Sequence, residues 1–241
     1  MERKPARRRV QAMAQGRGQT ERLAIPLAFD VAARISARPL DAFHHDPTEL
    51  ANGLGELQRA IGSDAVCCAL ANDVEWRSAA GGPLDLDTLT APGTPLAASL
   101  EACRRLRATG GDALALVAGL TGPATLATRF GVDLAQAGEV FAALVKTFCG
   151  AGTDIVLVFE DTAPGDPEAW NEVVKTAGNI ARFHRALAVS VSGAGALPVP
   201  AQCALDAPVA GGPGLTLTQG IVAADADLDQ LKRWVMTVGA A

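Results

Sequence analysis

The 241-residue sequence contains no tyrosine, and aromatic residues make up only 4% of it. Aromatic rings are the usual stacking platform for the bases of nucleic acids. The chain also carries a formal net charge of −5, which provides no general attraction for nucleic acid or for anionic lipid. We therefore expect neither nucleic acid nor a membrane surface as a partner.

Long apolar runs and regular cysteine spacings are also missing. No apolar run reaches the roughly 18 residues that a membrane-spanning helix requires, and no apolar segment of signal-peptide type follows the basic N-terminus. The five cysteines are odd in number, and none has a C-x-x-C spacing, so neither a disulfide scaffold nor a zinc ribbon is expected. These absences predict a cytoplasmic protein.

Hydrophobic residues make up 49% of the chain, which is enough to bury one full core. The first 22 residues differ because basic side chains crowd there: Arg3, Lys4, Arg7, Arg8, Arg9, Arg17 and Arg22. Such runs are typical of solvated arms, and binding of phosphate or of a partner is the alternative. We predict an N-terminal arm over residues 1–22 and a single domain over residues 23–241.

A strand-to-helix turn around Thr121 organises the rest of the chain. The apolar run 113–117 predicts a buried strand, and Gly122 and Pro123 open the next helix, because proline suits a first helical turn. Backbone N–H groups and the Thr121 hydroxyl then lie at the carboxyl end of a strand, where α/β folds usually place their sites. The alternative is that the Gly-Pro pair only connects the two elements.

Apolar runs and helical periodicities alternate along the remaining sequence. Further strands are predicted at residues 23–29, 65–71, 155–159, 186–191 and 215–218, with a short one as an option at 203–205. Helices are predicted at residues 7–14, 47–61, 96–108, 134–149, 167–184 and 227–238, with a short helix or loop at 31–39 and a surface excursion at 80–95. Since each strand is a continuous apolar run, the pattern indicates a parallel sheet covered by helices.

Polar residues recur where successive strands end, as at Asp73, Thr121, Glu160 and Gln219. This recurrence, and the lack of a G-x-G-x-x-G after the first strand, favours a (β/α) TIM-type barrel over a doubly wound sheet. Because an eight-unit barrel typically takes about 250 residues and fewer than eight units are found here, a shortened or incomplete barrel is predicted.

Structural explanations exist for several of these polar residues. Asp73 either belongs to a catalytic face or caps the next connection. Glu160 and its neighbour Asp161 either bind a cation or transfer a proton, or they cap the loop before the next helix. His44 and His45 are adjacent rather than four residues apart, so they are interpreted as loop residues and not as a metal-binding pair.

Several motifs occur in a characteristic order: Arg8-Arg9-Val10-Gln11-Ala12-Met13, Asp46-Pro47, Ser63-Asp64-Ala65-Val66, Thr121-Gly122-Pro123-Ala124-Thr125-Leu126-Ala127 and Thr218-Gln219-Gly220-Ile221-Val222. Together they resemble the uroporphyrinogen decarboxylase superfamily, which also contains cobamide methyltransferases acting on methanol, methylamines and chloromethane. The resemblance covers most of the chain, and the motif that begins at Thr121 is the most specific match.

The resemblance implies a set of site residues. Asp73 corresponds to the aspartate that gathers pyrrole N–H groups in the decarboxylases, and it is the predicted catalytic residue. Arg34 is what remains of an arginine-rich substrate-binding turn, Arg129 stands where the family has a tyrosine, and Gln219 replaces a late histidine. The predicted substrate-binding residues are Arg34, Thr121, Gly122, Arg129, Glu160 and Gln219.

No metal site and no cofactor are predicted. The methyltransferase branch binds zinc through a His-x-Cys-Gly turn and a later cysteine, and the matching positions here are Ser190, Ser192 and Gln219. Neutral hydroxyl and amide groups are poor zinc ligands beside thiolate and imidazole. A zinc-dependent methyltransferase would instead require ligands from residues whose spacing gives no support: Cys67, Cys68, His184 and Cys203.

Two functions follow from the resemblance. In the first, the chain binds or acts on a tetrapyrrole or a small methylated compound, with metal-independent decarboxylation favoured over methyl transfer. In the second, it is a catalytically degenerate homologue that serves as a binding or assembly subunit. Because an incomplete barrel exposes sheet edges and apolar surface, we expect a homodimer or a complex with a homologous subunit.

Overall fold

A computed structural model describes residues 4–17, 22–70, 74–192, 196–206 and 214–240. The strands are β1 (Arg22–Ile25), β2 (Ala65–Ala69), β3 (Ala115–Thr121), β4 (Ile155–Phe159), β5 (Leu187–Ser190), β6 (Ala201–Cys203) and β7 (Gly214–Thr218). The helices are α1 (Ala6–Ala14), α2 (Phe29–Ile35), α3 (Leu40–His45), α4 (Pro47–Ile61), α5 (Val74–Ala79), α6 (Leu86–Leu89), α7 (Pro95–Gly110), α8 (Pro123–Phe130), α9 (Leu134–Gly150), α10 (Pro167–Phe183) and α11 (Leu228–Ala240).

The strands form two parallel sheets, with the orders β2-β3-β4-β5 and β1-β7-β6. Helices cross over between consecutive strands of the larger sheet, as a parallel pair requires. β1 also lies against β2, but no hydrogen-bonded ladder joins the two sheets among the residues described. The predicted parallel α/β fold is therefore confirmed, whereas a closed barrel is not seen.

β3 is buried over its whole length, from Ala115 to Thr121. It runs four residues beyond the predicted end at residue 117, since its pairing with β4 continues as far as Thr121 and Phe159. A Cβ atom at Gly119 would lie 2.9 Å from the ring of Phe159. The glycine therefore lets β3 and β4 pack closely just below their carboxyl ends.

Asp-Pro pairs begin two of the long helices. Asp46 accepts hydrogen bonds from two backbone N–H groups in the first turn of α4, and Asp166 does the same for α10. An aspartate cap satisfies N–H groups that have no partner within the helix, and a proline in the next position loses nothing. The predicted starts at residues 47 and 167 are confirmed, and α4 also ends where predicted.

Three short helices, α3, α5 and α6, were not predicted. Helices shorter than about 12 residues are marginal in isolation, so these depend on contacts with the longer helices α4, α7 and α9. The prediction of a surface excursion over residues 80–95 is wrong in part, because Leu84 and Leu89 are buried.

The basic N-terminal segment packs on the sheet. α1 contacts β3 and β5, and its residues Ala6 and Val10 belong to the hydrophobic core. The Arg9 guanidinium is buried and lies 2.9 Å from a carboxylate oxygen of Asp64, while Arg7 pairs with Asp154 at 3.2 Å. The expectation of a solvated arm is therefore wrong for α1, because its arginines are held by carboxylates of the domain.

Among the described residues, no helix is both long and apolar enough to cross a membrane.

Candidate functional site

A cleft of about 450 Å³ opens at the carboxyl ends of the parallel strands. It is lined by Thr121, Arg129, Phe159, Glu160, Asp161, Val191, Ser192, Gln202, Gly220 and Ile221. Thr121 ends β3, Phe159 ends β4 and Gly220 follows β7 by two residues. Three of the predicted site residues, Thr121, Arg129 and Glu160, are therefore brought together.

The Glu160 carboxylate is held by four donors. One oxygen accepts hydrogen bonds from the backbone N–H of Ala124 at 3.0 Å and from the indole N–H of Trp170 at 2.6 Å. The other accepts from the backbone N–H and the hydroxyl of Thr125, at 2.8 and 2.7 Å. A negative charge is favoured at the N-terminus of a helix, so Glu160 fixes the start of α8 relative to β4 and α10.

Gly122 lies beside this carboxylate. A Cβ atom at that position would collide with the carboxyl group of Glu160, so the absence of a side chain leaves space for the carboxylate.

The loop after β4 is fixed as well, because the Thr125 hydroxyl accepts hydrogen bonds from the backbone N–H groups of Asp161 and Thr162, at 2.8 and 3.1 Å.

A second carboxylate, Glu75 in the first turn of α5, reaches the end of β3. Its two oxygens accept from the backbone N–H of Thr121 at 2.9 Å and from the Thr121 hydroxyl at 2.7 Å. Glu75 is 1% exposed. Burial raises the pKa of Glu75 above its ordinary value, while the hydrogen bonds from Thr121 and the charge of Arg77 oppose that rise.

Opposite charges meet at the edge of the cleft. The Arg129 guanidinium lies 2.9 Å from a carboxylate oxygen of Asp161, and the two side chains are 33% and 70% exposed. An ion pair at this level of exposure contributes little to stability. It does neutralise the one positive charge among the lining residues that the structure describes.

The remaining predicted residues lie elsewhere or outside the described ranges. Arg34 is exposed and donates a hydrogen bond of 2.7 Å to the Ala226 carbonyl, away from the lining residues. Gln219 is exposed and immediately precedes Gly220, and its backbone N–H donates to the Cys203 carbonyl at 2.9 Å. Asp73 lies outside the described residues, so its catalytic role stays a prediction.

The side chains at the positions that match the zinc ligands of the methyltransferase branch do not fit that metal. Ser190 is fully buried, Ser192 lines the cleft and Gln219 is exposed, and none of them offers a thiolate or an imidazole. Within the ranges that the structure covers, no group of three or more His, Cys, Asp or Glu side chains is arranged to hold a metal ion. The five cysteines are all free and buried.

Sequence reasoning did not single out Gln202, which lines the cleft, or Glu75, which bonds to the lining residue Thr121. Glu75 lies two residues after Asp73, and the acidic end of that strand was a signal that pointed toward it. Gln202 lies in a Gly-, Ala- and Pro-rich tract with little periodicity, so no signal in the sequence marked it. Its side-chain amide donates to the Val191 carbonyl at 2.9 Å, which orients it at the cleft.

Comparison with known proteins informs the fold. No protein-family model matches the sequence, and no curated protein matches it significantly. Among solved structures, the chain is similar to a methyltransferase from Methanosarcina mazei, with a TM-score of 0.74 over 98% of each chain at 14% sequence identity. At so low an identity the similarity concerns the fold, and the chain therefore shares the α/β fold of that methyltransferase along almost its entire length.

Proposed function

We propose that this chain binds and acts on a small methylated compound, neutral or cationic, in the cleft at the strand ends. The fold shared with a methyltransferase and the motifs similar to the uroporphyrinogen decarboxylase superfamily support this proposal. The observation that carries it is the charge of the cleft. Two carboxylates, Glu160 and Asp161, line it beside a single arginine.

Charge disfavours a tetrapyrrole of the decarboxylase type. Such a molecule carries several carboxylates, and binding it would require unpaired cations to compensate for the loss of their hydration. The Arg129 charge is matched by Asp161 at 2.9 Å, and Arg34 is not among the lining residues. A neutral or cationic ligand avoids that cost.

The volume of the cleft and its lining residues also fit a small methylated compound. A volume of about 450 Å³ lies within the range of small-molecule sites, which is roughly 300–1,000 Å³. Phe159, Val191 and Ile221 offer apolar surface for methyl groups, and Asp161 and Gln202 offer polar groups at the edge. The residues of this chain would thus bind and orient the compound, and product analysis decides which bond is broken.

We further propose that the described strands form one incomplete (β/α) barrel. If β1 neighbours β2 and β5 neighbours β6, the strand order runs from β1 to β7 around a ring. The contact between β1 and β2 and the two sheet orders support this arrangement. A crystal structure in which β1 lies remote from β2 would contradict it.

Calorimetric titration tests the function. We expect trimethylammonium to bind the full chain and coproporphyrinogen, handled anaerobically, not to bind. Asp161→Asn should weaken trimethylammonium binding about threefold to tenfold, because it removes a negative charge from the lining of the cleft. Asp229→Asn changes an exposed carboxylate outside the lining and should have no effect. Tight binding of coproporphyrinogen without binding of trimethylammonium would overturn the proposal.

A further inference from the structure

The carboxylate of Glu75 accepts two hydrogen bonds from one residue, Thr121. Its oxygens lie 2.9 Å from the backbone nitrogen and 2.7 Å from the hydroxyl oxygen of Thr121. Glu75 is 1% exposed and Thr121 is 4% exposed, so water does not compete for these bonds. The first bond is enough to join α5 to the end of β3, whereas the second fixes the rotation of the hydroxyl group.

The direction of the second bond decides what Thr121 offers to the cleft. A hydroxyl group has one proton and two lone pairs, and an ionised carboxylate can only accept. When Glu75 is ionised, Thr121 donates its proton to Glu75, which leaves the lone pairs of its oxygen for a ligand. Thr121 lines the cleft, so a ligand that reaches this oxygen meets an acceptor and not a donor.

Burial raises the pKa of Glu75, and several contacts oppose that rise by favouring the ionised form. Its carboxylate accepts from the Thr121 backbone N–H as well as from the hydroxyl, and the positive charge of Arg77 acts on it from the same helix. Hydrogen bonds to the charged form and a nearby opposite charge both stabilise a carboxylate.

We propose that Glu75 is a positioning residue that fixes Thr121 as a hydrogen-bond acceptor, so that the cleft selects ligands carrying a donor such as an ammonium N–H. This inference rests on the proposed function, which supplies the class of ligand. It adds that the ligand must carry a hydrogen-bond donor. Thr121 is the residue that touches the ligand, and Glu75 acts through it.

Two cations of equal charge provide the test. Trimethylammonium has an N–H group, and tetramethylammonium has a methyl group in its place. We expect calorimetry to show that the wild-type chain binds trimethylammonium about tenfold more tightly, which is the size of one hydrogen bond to a charged group. Equal affinities for the two cations would overturn the inference and leave the proposed function intact.

Variants separate positioning from folding. In Glu75→Gln the side-chain oxygen still accepts from the Thr121 backbone, but the amide donates to the hydroxyl oxygen and turns the hydroxyl proton toward the cleft. The preference for trimethylammonium should then disappear. Thr121→Val should abolish it as well, and Thr121→Ser should keep it. Melting temperatures identify any variant that is unfolded.

If neither cation binds, only the proposed function is overturned. The role of Glu75 can then still be tested by a measurement that needs no ligand. In threonine-labelled wild-type protein, the Thr121 hydroxyl proton should exchange slowly enough to be observed by NMR, because it is buried and bonded to a carboxylate. It should be lost from the spectrum of Glu75→Gln. Its absence from the wild-type spectrum, or its persistence in Glu75→Gln, would overturn the inference.

Discussion

Gly122 leaves space for the carboxyl group of Glu160: a Cβ atom at position 122 would lie 2.8 Å from the Cγ atom of that side chain and closer still to its carboxyl group. The two residues come from different strand ends. Their contact places a carboxylate at the N-terminus of α8, where backbone N–H groups have no partner within the helix. A glycine is thus required here for space, not for an unusual backbone angle.

Gly122→Ala should lower the free energy of unfolding by about 1–3 kcal/mol, because the new methyl group displaces a carboxylate from its donors. Urea denaturation measures the change. Gly150→Ala is the matched control, since nothing lies within 4 Å of a Cβ atom at Gly150. Equal stability of Gly122→Ala and the wild type would show that Glu160 can move at no cost.

Glu160→Gln should cost roughly 2–4 kcal/mol of unfolding free energy. Each oxygen of Glu160 accepts two hydrogen bonds, including one from Trp170, and an amide nitrogen in either place would face a donor. The fluorescence of Trp170 should change in the folded state. The neighbouring Asp161→Asn, at a side chain that is 70% exposed, should change stability by less than about 1 kcal/mol. A Glu160→Gln protein with wild-type stability would contradict this account.

Asp154→Asn should destabilise the chain by about 3–5 kcal/mol, because the side chain is 4% exposed and pairs with two arginines, Arg7 and Arg107. Removing its charge takes the Asp154 carboxylate from Arg107 and leaves Arg7 with Asp112 as its ion-pair partner. Since Arg7 belongs to α1, limited proteolysis should then cut within α1 sooner than in the wild type. Glu172→Gln, at a side chain that is 73% exposed and pairs with Lys175 of its own helix α10, is the control and should leave the cleavage rate nearly unchanged.

His44 should make stability depend on pH. Burial, together with the charge of Arg77, lowers the pKa of His44 from 6.5 to about 4. Between these values the unfolded chain binds a proton that the folded chain does not, so stability is fully present above pH 6.5 and falls as the pH drops toward 4. The loss through this one group amounts to roughly 3 kcal/mol.

Urea denaturation of His44→Phe at several pH values checks this prediction. The variant should lose less stability than the wild type between pH 6.5 and 4, whatever its stability at neutral pH. His45→Gln, at a side chain that is 41% exposed, should follow the wild-type curve. Parallel curves for His44→Phe and the wild type would show that His44 takes up its proton in the folded state.

Local sequence signals were sufficient to predict those helices and strands that are long or that carry their own capping residue. Asp46 and Asp166 begin their helices through bonds to N–H groups two and three residues away, so the sequence alone contains the whole interaction. β4 was predicted with the bounds that it has, because a β-branched apolar run between polar residues leaves few alternatives.

Contacts between residues far apart in the sequence decided the short helices and the roles of the residues at the site. α5 consists of six residues and forms where Glu75 can bond to Thr121, which is 46 positions away. Glu160 was found by its place after a strand, but its role came from residues 35 and 36 positions away that only the fold brings near. Such pairs leave no periodic trace in the sequence.

The order of apolar runs and helix caps therefore determined the parallel α/β fold by itself, because burial and capping act on neighbouring residues. The tertiary structure decided which carboxylates are held inside the protein and which remain at the cleft. Hydrogen bonds between distant segments fix the side chains of Glu75 and Glu160, and those bonds exist only after the strands have aligned.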